Sequence, residues 1–330
     1  MRAFDYVRAA DISSAIREGG QPDTQFLAGG TTLVDLMKCG VEQPARIVDI
    51  TRIGGLDDIE IDRNSIRIGG LTKMSRVADD PGVKASAPAV SEALWRAASA
   101  QLRNMATIGG NLMQRTRCSY FRDPAAYPNC NKRAPGSGCA AMAGNNRNHA
   151  VLGTSEACIA TYPGDLGVSL VAFDALVHIQ GQRRRVIAAD DFFHLPGDRP
   201  DIDNALAPGE LIIGIEIPVS AALKRSHYLK VRDRSSYEFA AASAAVGLDL
   251  EPDGTTIRDA RIALGGVATK PWRARAVEQA LAGQPLQESV LRRASELAAE
   301  GARSHEHNAY KIALAPKVVA RALMMAGGLN

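Results

Sequence analysis

Residues 25–38, QFLAGGTTLVDLMK, run from a strand-like stretch through a glycine pair straight into a helical pattern. Glycine at such a turn lets the backbone bend tightly and lets a ligand approach it closely, because no Cβ stands in the way. The flanks set the wider architecture. AFDYV reads as a strand, Asp11 caps a helix through ISSAIREGG that the glycines stop, and ARIVDI is a third strand. A β-α-β-α-β start of this kind predicts a small parallel sheet.

The chain then changes character. LDDIEIDRNSIRIGG alternates around Asp62-Arg63-Asn64 as an antiparallel hairpin does. Helical stretches follow at KMSRVADD and AVSEALWRAAS, then MATIGGNLMQ, a cysteine-bearing loop, and a strand-like EACIAT. GDLGVSLVAFDA reads as a helix, LVHIQGQRRRVI as a hairpin and ELIIGIEIP as a strand. After Pro218 a new unit begins, with three strands and turns followed by an Ala/Leu-rich helical tail from Pro271. The expected fold class is α+β: a two-lobed domain over 1–220 (lobe 1 about 1–55, lobe 2 about 56–220) and a C-terminal domain, 221–330, with a three-stranded antiparallel sheet and a helical bundle.

Charge removes some functions. With 39 basic and 36 acidic residues the formal net charge is +3, too balanced to favour nucleic acid. Arg183-Arg184-Arg185 reads as a solvated face. No stretch approaches a membrane span. The N-terminus has acidic residues and no continuous apolar region, so the chain alone reads as cytoplasmic, with the periplasm reachable beside a signal-bearing partner.

A second glycine turn, ATIGGN at 106–111, repeats the idea of the first. N–H groups freed at a helix start suit a phosphate. Neither turn is the G-x-G-x-x-G dinucleotide fingerprint, and no G-x-x-x-x-G-K-[ST] loop is present. Each pair alone also reads as an ordinary tight turn. Two phosphate-style turns on different lobes point to a ligand whose pyrophosphate lies between them.

Four of the five cysteines crowd one region. RCSYFRDPAAYPNCNKRAPGSGC (117–139) holds three, and Cys158 completes the spacing C-x11-C-x8-C-x18-C. Disulfides are a poor fit to a chain of this length without a signal. Structural zinc normally uses C-x2-4-C pairs, which are absent. An iron–sulfur cluster needs four thiolates but no short pair, and a Pro/Gly loop can wrap one. Coincidence stays open on the residues alone. Arg115, Arg117, Arg122, Lys132 and Arg133 put positive charge around the loop. Cys39 reads as a small buried apolar residue. His305 and His307, in H-E-H, do not share a helix face and read as solvated. His149 and His194 receive no role, and no hydrolase elbow or zinc-protease motif appears.

FLAGGTTLVDLMK followed by ATIGGNLMQ resembles the flavoprotein subunits of the molybdenum hydroxylases, the family of the flavin domains or subunits of xanthine dehydrogenase, carbon monoxide dehydrogenase and aldehyde oxidoreductases. PGDLGVSLVAFDA, ELIIGIEIP, YLKVRDRSSYEFA and ARIALGGVATKPWRA extend the resemblance over nearly the whole chain. It implies the FAD-binding fold shared with vanillyl-alcohol oxidase. It also implies FAD contacts at Leu27, Ala28, Gly29, Gly30, Thr31, Thr32, Leu33 and Val34, and at Thr107, Gly109, Gly110 and Asn111. Asp123, Asp165 and Lys230 match positions near the flavin, although Lys230 read alone is equally a surface strand residue. Tyr237 reads either as a neighbour of the flavin or as a sheet-core residue.

The cysteine loop resembles the subgroup that carries a [4Fe–4S] cluster, which includes the flavin subunits of 4-hydroxybenzoyl-CoA reductase and of periplasmic aldehyde oxidoreductases. That resemblance implies Cys118, Cys130, Cys139 and Cys158 as cluster ligands. The implied function is electron transfer within a heterotrimer. A molybdopterin-binding large subunit oxidises an aldehyde, a small subunit holds [2Fe–2S] clusters, and this chain passes electrons through FAD to an external acceptor. No catalytic residue is expected on this chain. The alternatives are a stand-alone FAD-dependent oxidoreductase and a flavin-free assembly module that binds metal through the four cysteines.

Overall fold

The computed structural model describes residues 1–329. Strands β1 (Asp5–Arg8), β2 (Thr24–Leu27) and β3 (Arg46–Asp49) form a parallel sheet in the order β1-β3-β2. Helix α1 (Ile12–Gly19) starts in a reciprocal cap. Ser14 N donates to Asp11 Oδ1 at 2.7 Å, and Asp11 N donates to Ser14 Oγ at 3.1 Å. Helix α2 (Leu33–Lys38) follows the glycine turn. Ala15, Val48, Ile50 and Ile53 make the core of this lobe.

Asp49 closes β3 and is buried. Its Oδ1 accepts from Thr51 N (2.8 Å) and Thr51 Oγ1 (2.6 Å); its Oδ2 accepts from Tyr6 OH and from Arg8 Nε (3.2 Å). Burial pushes the carboxyl's pKa up, but the bonds from Thr51, Tyr6 and Arg8 more than reverse this and hold it at about 2. A carboxyl depressed in the folded state stabilises above its unfolded pKa of about 4, and that stability disappears as pH falls through its folded value. Asp49→Asn is therefore expected to lose about 2 kcal/mol near neutrality. In chemical denaturation the gap to wild type should narrow between about pH 4 and about pH 2. A gap that does not change with pH would contradict the assignment.

Lobe 2 opens with the hairpin β4 (Ile59–Ile61) and β5 (Ser65–Gly69). Short helices follow: α3 (Met74–Asp79), α4 (Pro81–Ser86), α5 (Pro88–Arg96), α6 (Ala100–Met105) and α7 (Ile108–Leu112). The cysteine loop contains α8 (Ser119–Arg122). Every residue of α9 (Leu166–Ala172) is buried, as the hydrophobic run LGVSLVA requires. The lobe closes with β6 (Leu176–Gln180), β7 (Arg184–Ala188), α10 (Ala189–Phe192) and β8 (Leu211–Pro218). Its sheet is antiparallel in the order β4-β5-β8-β6-β7 over a core that includes Ile66, Leu94, Val168, Val177 and Ile215.

Helix α11 (Ala221–Lys224) leads into β9 (Ser226–Val231), β10 (Ala242–Leu250) and β11 (Ile257–Gly265). A short fourth strand, β12 (Trp272–Arg273), pairs with Ala263 and Leu264, so the expected three-stranded sheet has four strands, ordered β12-β11-β10-β9. Helices α12 (Arg275–Leu281), α13 (Glu288–Ser295) and α14 (Tyr310–Gly327) cover it; Val246, Ile262, Leu291, Val319 and Leu323 share that core.

Two local expectations also change. EACIAT is no strand: the chain turns back so that Ser155 and Cys158 pair only with each other, Ser155 N reaching Cys158 O at 3.2 Å. Cys39 is half-buried rather than in a core; it caps the C-terminus of α2 and lies 3.7 Å from Arg122 Nη2. Among the described residues no helix is long and apolar enough to cross a membrane.

Candidate cofactor site

The two glycine turns meet in space. Gly30 has φ +71°, a conformation that strains any residue with a Cβ. Gly29 lies directly against the chain that leads into the second turn. A Cβ on Gly29 would stand 2.2 Å from the Met105 carbonyl oxygen and 2.9 Å from Ala106 Cα. Thr107, buried, caps α7 by accepting from Gly110 N at 3.2 Å. Gly109 N donates to Gly70 O at 2.8 Å. Asn111 donates from Nδ2 to Met74 Sδ (3.4 Å), while its Oδ1 is buried without a partner. Residues Leu27 to Val34 are all half-buried, and Thr32 makes no side-chain cap bond. These features fit FAD. Backbone without side chains lies on both sides of one seam, with threonine hydroxyls along it and an orphaned amide oxygen that needs a donor such as a ribityl hydroxyl.

Asp165 and Lys230 form a second, separate grouping. Strand alternation puts Tyr228 and Lys230 on one face of β9. Lys230 Nζ donates to Asp165 Oδ2 at 2.9 Å and Tyr228 OH to Asp165 Oδ1 at 2.6 Å. Lys230 is therefore no surface residue: its side chain is 1% exposed and committed to Asp165. Burial raises the Asp165 pKa, opposed by Lys230. The neighbouring Gly164 packs near the Gln114 amide, which donates to Asn111 O at 3.0 Å, so Asp165 adjoins the end of the second glycine motif. Asp123 joins neither group. It is exposed at the end of α8, accepts from Ala126 N at 3.0 Å, and is followed by Pro124, which lies near Gly40 beyond the C-terminal end of α2. Tyr237 is 56% exposed with φ +52°, outside any strand.

Cys118, Cys130, Cys139 and Cys158, all free thiols, line one small cavity of about 10 Å³. The backbones of Cys130 and Cys139 pair antiparallel. Gly136 (φ +85°) and Gly138 (φ +108°) make the return between them possible, and Gly138 N donates to Asn131 Oδ1 at 2.7 Å. Asn131 Nδ2 donates to Ala157 O at 2.9 Å and so brings in the Cys158 segment. Ala160 N donates to Cys158 Sγ (3.4 Å), and backbone N–H groups of Phe121 and Tyr120 near Cys118, and of Ala141, Met142 and Ile159 near Cys139, oppose the rise in those thiols' pKa. Burial, followed by the neighbouring thiols, pushes Cys118 up to about 12; burial also raises Cys139 and Cys158. Thiolates in such a pocket need a compensating cation. Among the described residues no three His, Cys, Asp or Glu side chains converge as the ligands of a single ion.

Of the loop's cations, Lys132 lines the thiol cavity and opposes the rise at Cys158, while the others are turned to acids or carbonyls. Arg115 pairs with Glu42 (2.7 Å) and Asp203 (2.8 Å), Arg117 and Arg122 with Asp35 (3.0 and 2.5 Å), and Lys132 with Asp203 (2.5 Å). Arg133 donates to carbonyls of its own loop. Two side chains that sequence reasoning passed over are prominent here. Asp35 ties α2 to the loop. His149, whose neutral ring is held at about 4 by burial and by Lys311, puts Nε2 3.2 Å from Cys118 Sγ. A larger cavity of about 450 Å³ runs from Cys118 to Asp165.

Comparisons with known proteins agree with the fold and its division into an FAD-binding part and a C-terminal part. Residues 2–220 match the family described as the FAD binding domain in molybdopterin dehydrogenase, and residues 227–326 the CO dehydrogenase flavoprotein C-terminal domain. The chain is 42% identical to the aldehyde oxidoreductase FAD-binding subunit PaoB of Escherichia coli (strain K12), over 98% of each chain. It is 29% identical to the glyceraldehyde dehydrogenase medium chain of Sulfolobus acidocaldarius, over 88% of this chain and 84% of that one. A chain in the crystal structure of the Cu,Mo-CO dehydrogenase, cyanide-inactivated, superposes with TM-score 0.77 at 25% identity, covering 100% of this chain and 99% of that one. Membership of this family is incompatible with a flavin-free metal-binding module. The chain belongs to the FAD-binding medium subunits of the molybdenum hydroxylases and is an oxidoreductase subunit.

Proposed function

We propose that the chain is the FAD and [4Fe–4S] subunit of a heterotrimeric, molybdenum-dependent aldehyde oxidoreductase. The observation that carries the cluster is the one cavity that all four free thiols line, Cys130 and Cys158 buried and Cys118 and Cys139 half-buried, with Ala160 N donating to Cys158 Sγ. A single zinc ion draws its thiolates to one point. A cluster is held at four separate irons and needs a pocket between its ligands. The donors around the sulfurs are the kind that adjust a cluster's potential. His149 Nε2 adds a side-chain contact at Cys118.

FAD would be held by the facing turns of Leu27–Val34 and Thr107–Asn111, with Asp165 and Lys230 as a buried pair beside the cavity. Asp123, exposed beyond α2, is left out of the set. When bound, FAD supplies the exchange between single electrons from iron–sulfur centres and pairs delivered to an acceptor. The relatives' printed names support an aldehyde as the class of substrate. Its oxidation would take place on a separate molybdopterin-binding subunit, and the electrons would reach this chain through a [2Fe–2S] subunit. No acid–base pair on this chain would be spent on substrate. The boundary between the two domains is placed at residue 220.

Cys139→Ser tests the ligand set. The purified complex is expected to lose the iron assigned to this chain while keeping its FAD, as read by iron and flavin assay. Full iron content in the variant would remove Cys139 from the set.

A further inference from the structure

Helix α2 belongs to lobe 1 in sequence but not in packing. Among the described residues the lobe 1 core contains no residue of α2. The buried Leu36 of α2 packs instead with Phe121 and Cys130, with Val41 and Cys118 at the edge. The polar contacts run the same way. Asp35 Oδ2 accepts from both Arg117 Nη1 (3.0 Å) and Arg122 Nη2 (2.5 Å), and Arg115, three residues before Cys118, reaches Glu42 just past the helix. Arg115 also bonds Asp203, so the same guanidinium anchors both lobes. The glycine turn that abuts Met105 and Ala106 feeds directly into this helix. Its six residues span about 9 Å. One end of α2 therefore shapes the proposed flavin cradle, and its body rests on the proposed cluster loop.

We propose that Asp35 is a positioning residue through which cluster and flavin binding are linked, an inference that rests on the function proposed above. An ordered cluster loop holds Arg117 and Arg122 where one carboxylate can bridge them, and that bridge fixes α2 and the glycine turn ahead of it. Without the loop's order the two guanidiniums lose their common site and α2 loses the apolar seat of Leu36. Linkage is reciprocal: whatever the cluster contributes to FAD binding, FAD contributes to cluster retention.

The test uses the purified complex with its FAD removed. FAD is titrated back, followed by quenching of its fluorescence, before and after the iron of this chain is stripped with ferricyanide and EDTA. In wild type the Kd for FAD is expected to rise on stripping by about five- to tenfold. Asp35→Asn should bind FAD weakly in both states, with a stripped-to-loaded ratio near one, and should release iron to EDTA faster than wild type. Asp35→Glu, which keeps the bridging charge, should recover part of the ratio. A wild-type ratio of one overturns the linkage, as does an Asp35→Asn ratio equal to that of wild type. Absence of iron from this chain in the untreated complex overturns the cluster itself, and the linkage with it. The wild-type arm needs no substitution, so a variant that fails to fold leaves the test intact.

Discussion

Gly29→Ala is expected to empty the flavin site. The new Cβ would fall 2.2 Å from the Met105 carbonyl oxygen, and backbone cannot swing aside as a side chain tip can. The two turns must part, at a cost of about 1–3 kcal/mol for an overpacked contact. The parting occurs at the seam where both motifs would hold the cofactor, so a modest strain removes a large share of binding. The complex should purify with most of its FAD missing, measured by flavin released on acid precipitation. Gly54→Ala is the control, because a Cβ there meets nothing within 4 Å and the residue needs no left-handed φ. Wild-type flavin content in Gly29→Ala would contradict the placement of the cradle.

Lys230→Met is expected to be the most destabilising single substitution at the site. The Lys230 and Asp165 side chains are 1% and 6% exposed, so removing the cation strands a buried carboxylate. Breaking such a pair costs about 3–5 kcal/mol, whereas replacing both charges with uncharged groups of similar size is far less harmful. At about 2–4 °C per kcal/mol, Tm should fall by roughly 10 °C. The double variant Asp165→Asn, Lys230→Met should recover much of that loss. Tyr228 OH keeps an acceptor in the double variant, since the asparagine carbonyl can replace Asp165 Oδ1. Equal melting of the single and double variants would show that the pair contributes through something other than mutual charge.

The repeating parts of the fold were readable because their periodicity is local. The parallel start, the 59–69 hairpin and the run of α9 follow from strand alternation, a capping aspartate and an unbroken apolar stretch. EACIAT looked like a strand for the same reason, but Asn131 and the loop geometry hold it as a turn that presents Cys158. The two-residue strand at Trp272 carries too little pattern to be seen. At the site, the glycine motifs and the four thiols were legible from residue type and spacing. Partners were not: Arg117 and Arg122 look like free cations until the fold brings Asp35 from more than eighty residues earlier. Lys230 looks like a strand-surface lysine until Asp165 arrives from α9's start. Asp123 is exposed at the end of α8, accepting from Ala126 N, with its neighbour Pro124 near Gly40.

The central claim is that this chain carries both an FAD and an iron–sulfur cluster. Its most direct test is the iron, sulfide and FAD content of the complex purified without oxygen. The complex should hold one FAD per copy of this chain and about four irons with matching sulfide beyond those of the [2Fe–2S] subunit. Zinc in place of that iron, or no iron beyond the small subunit's share, would contradict it.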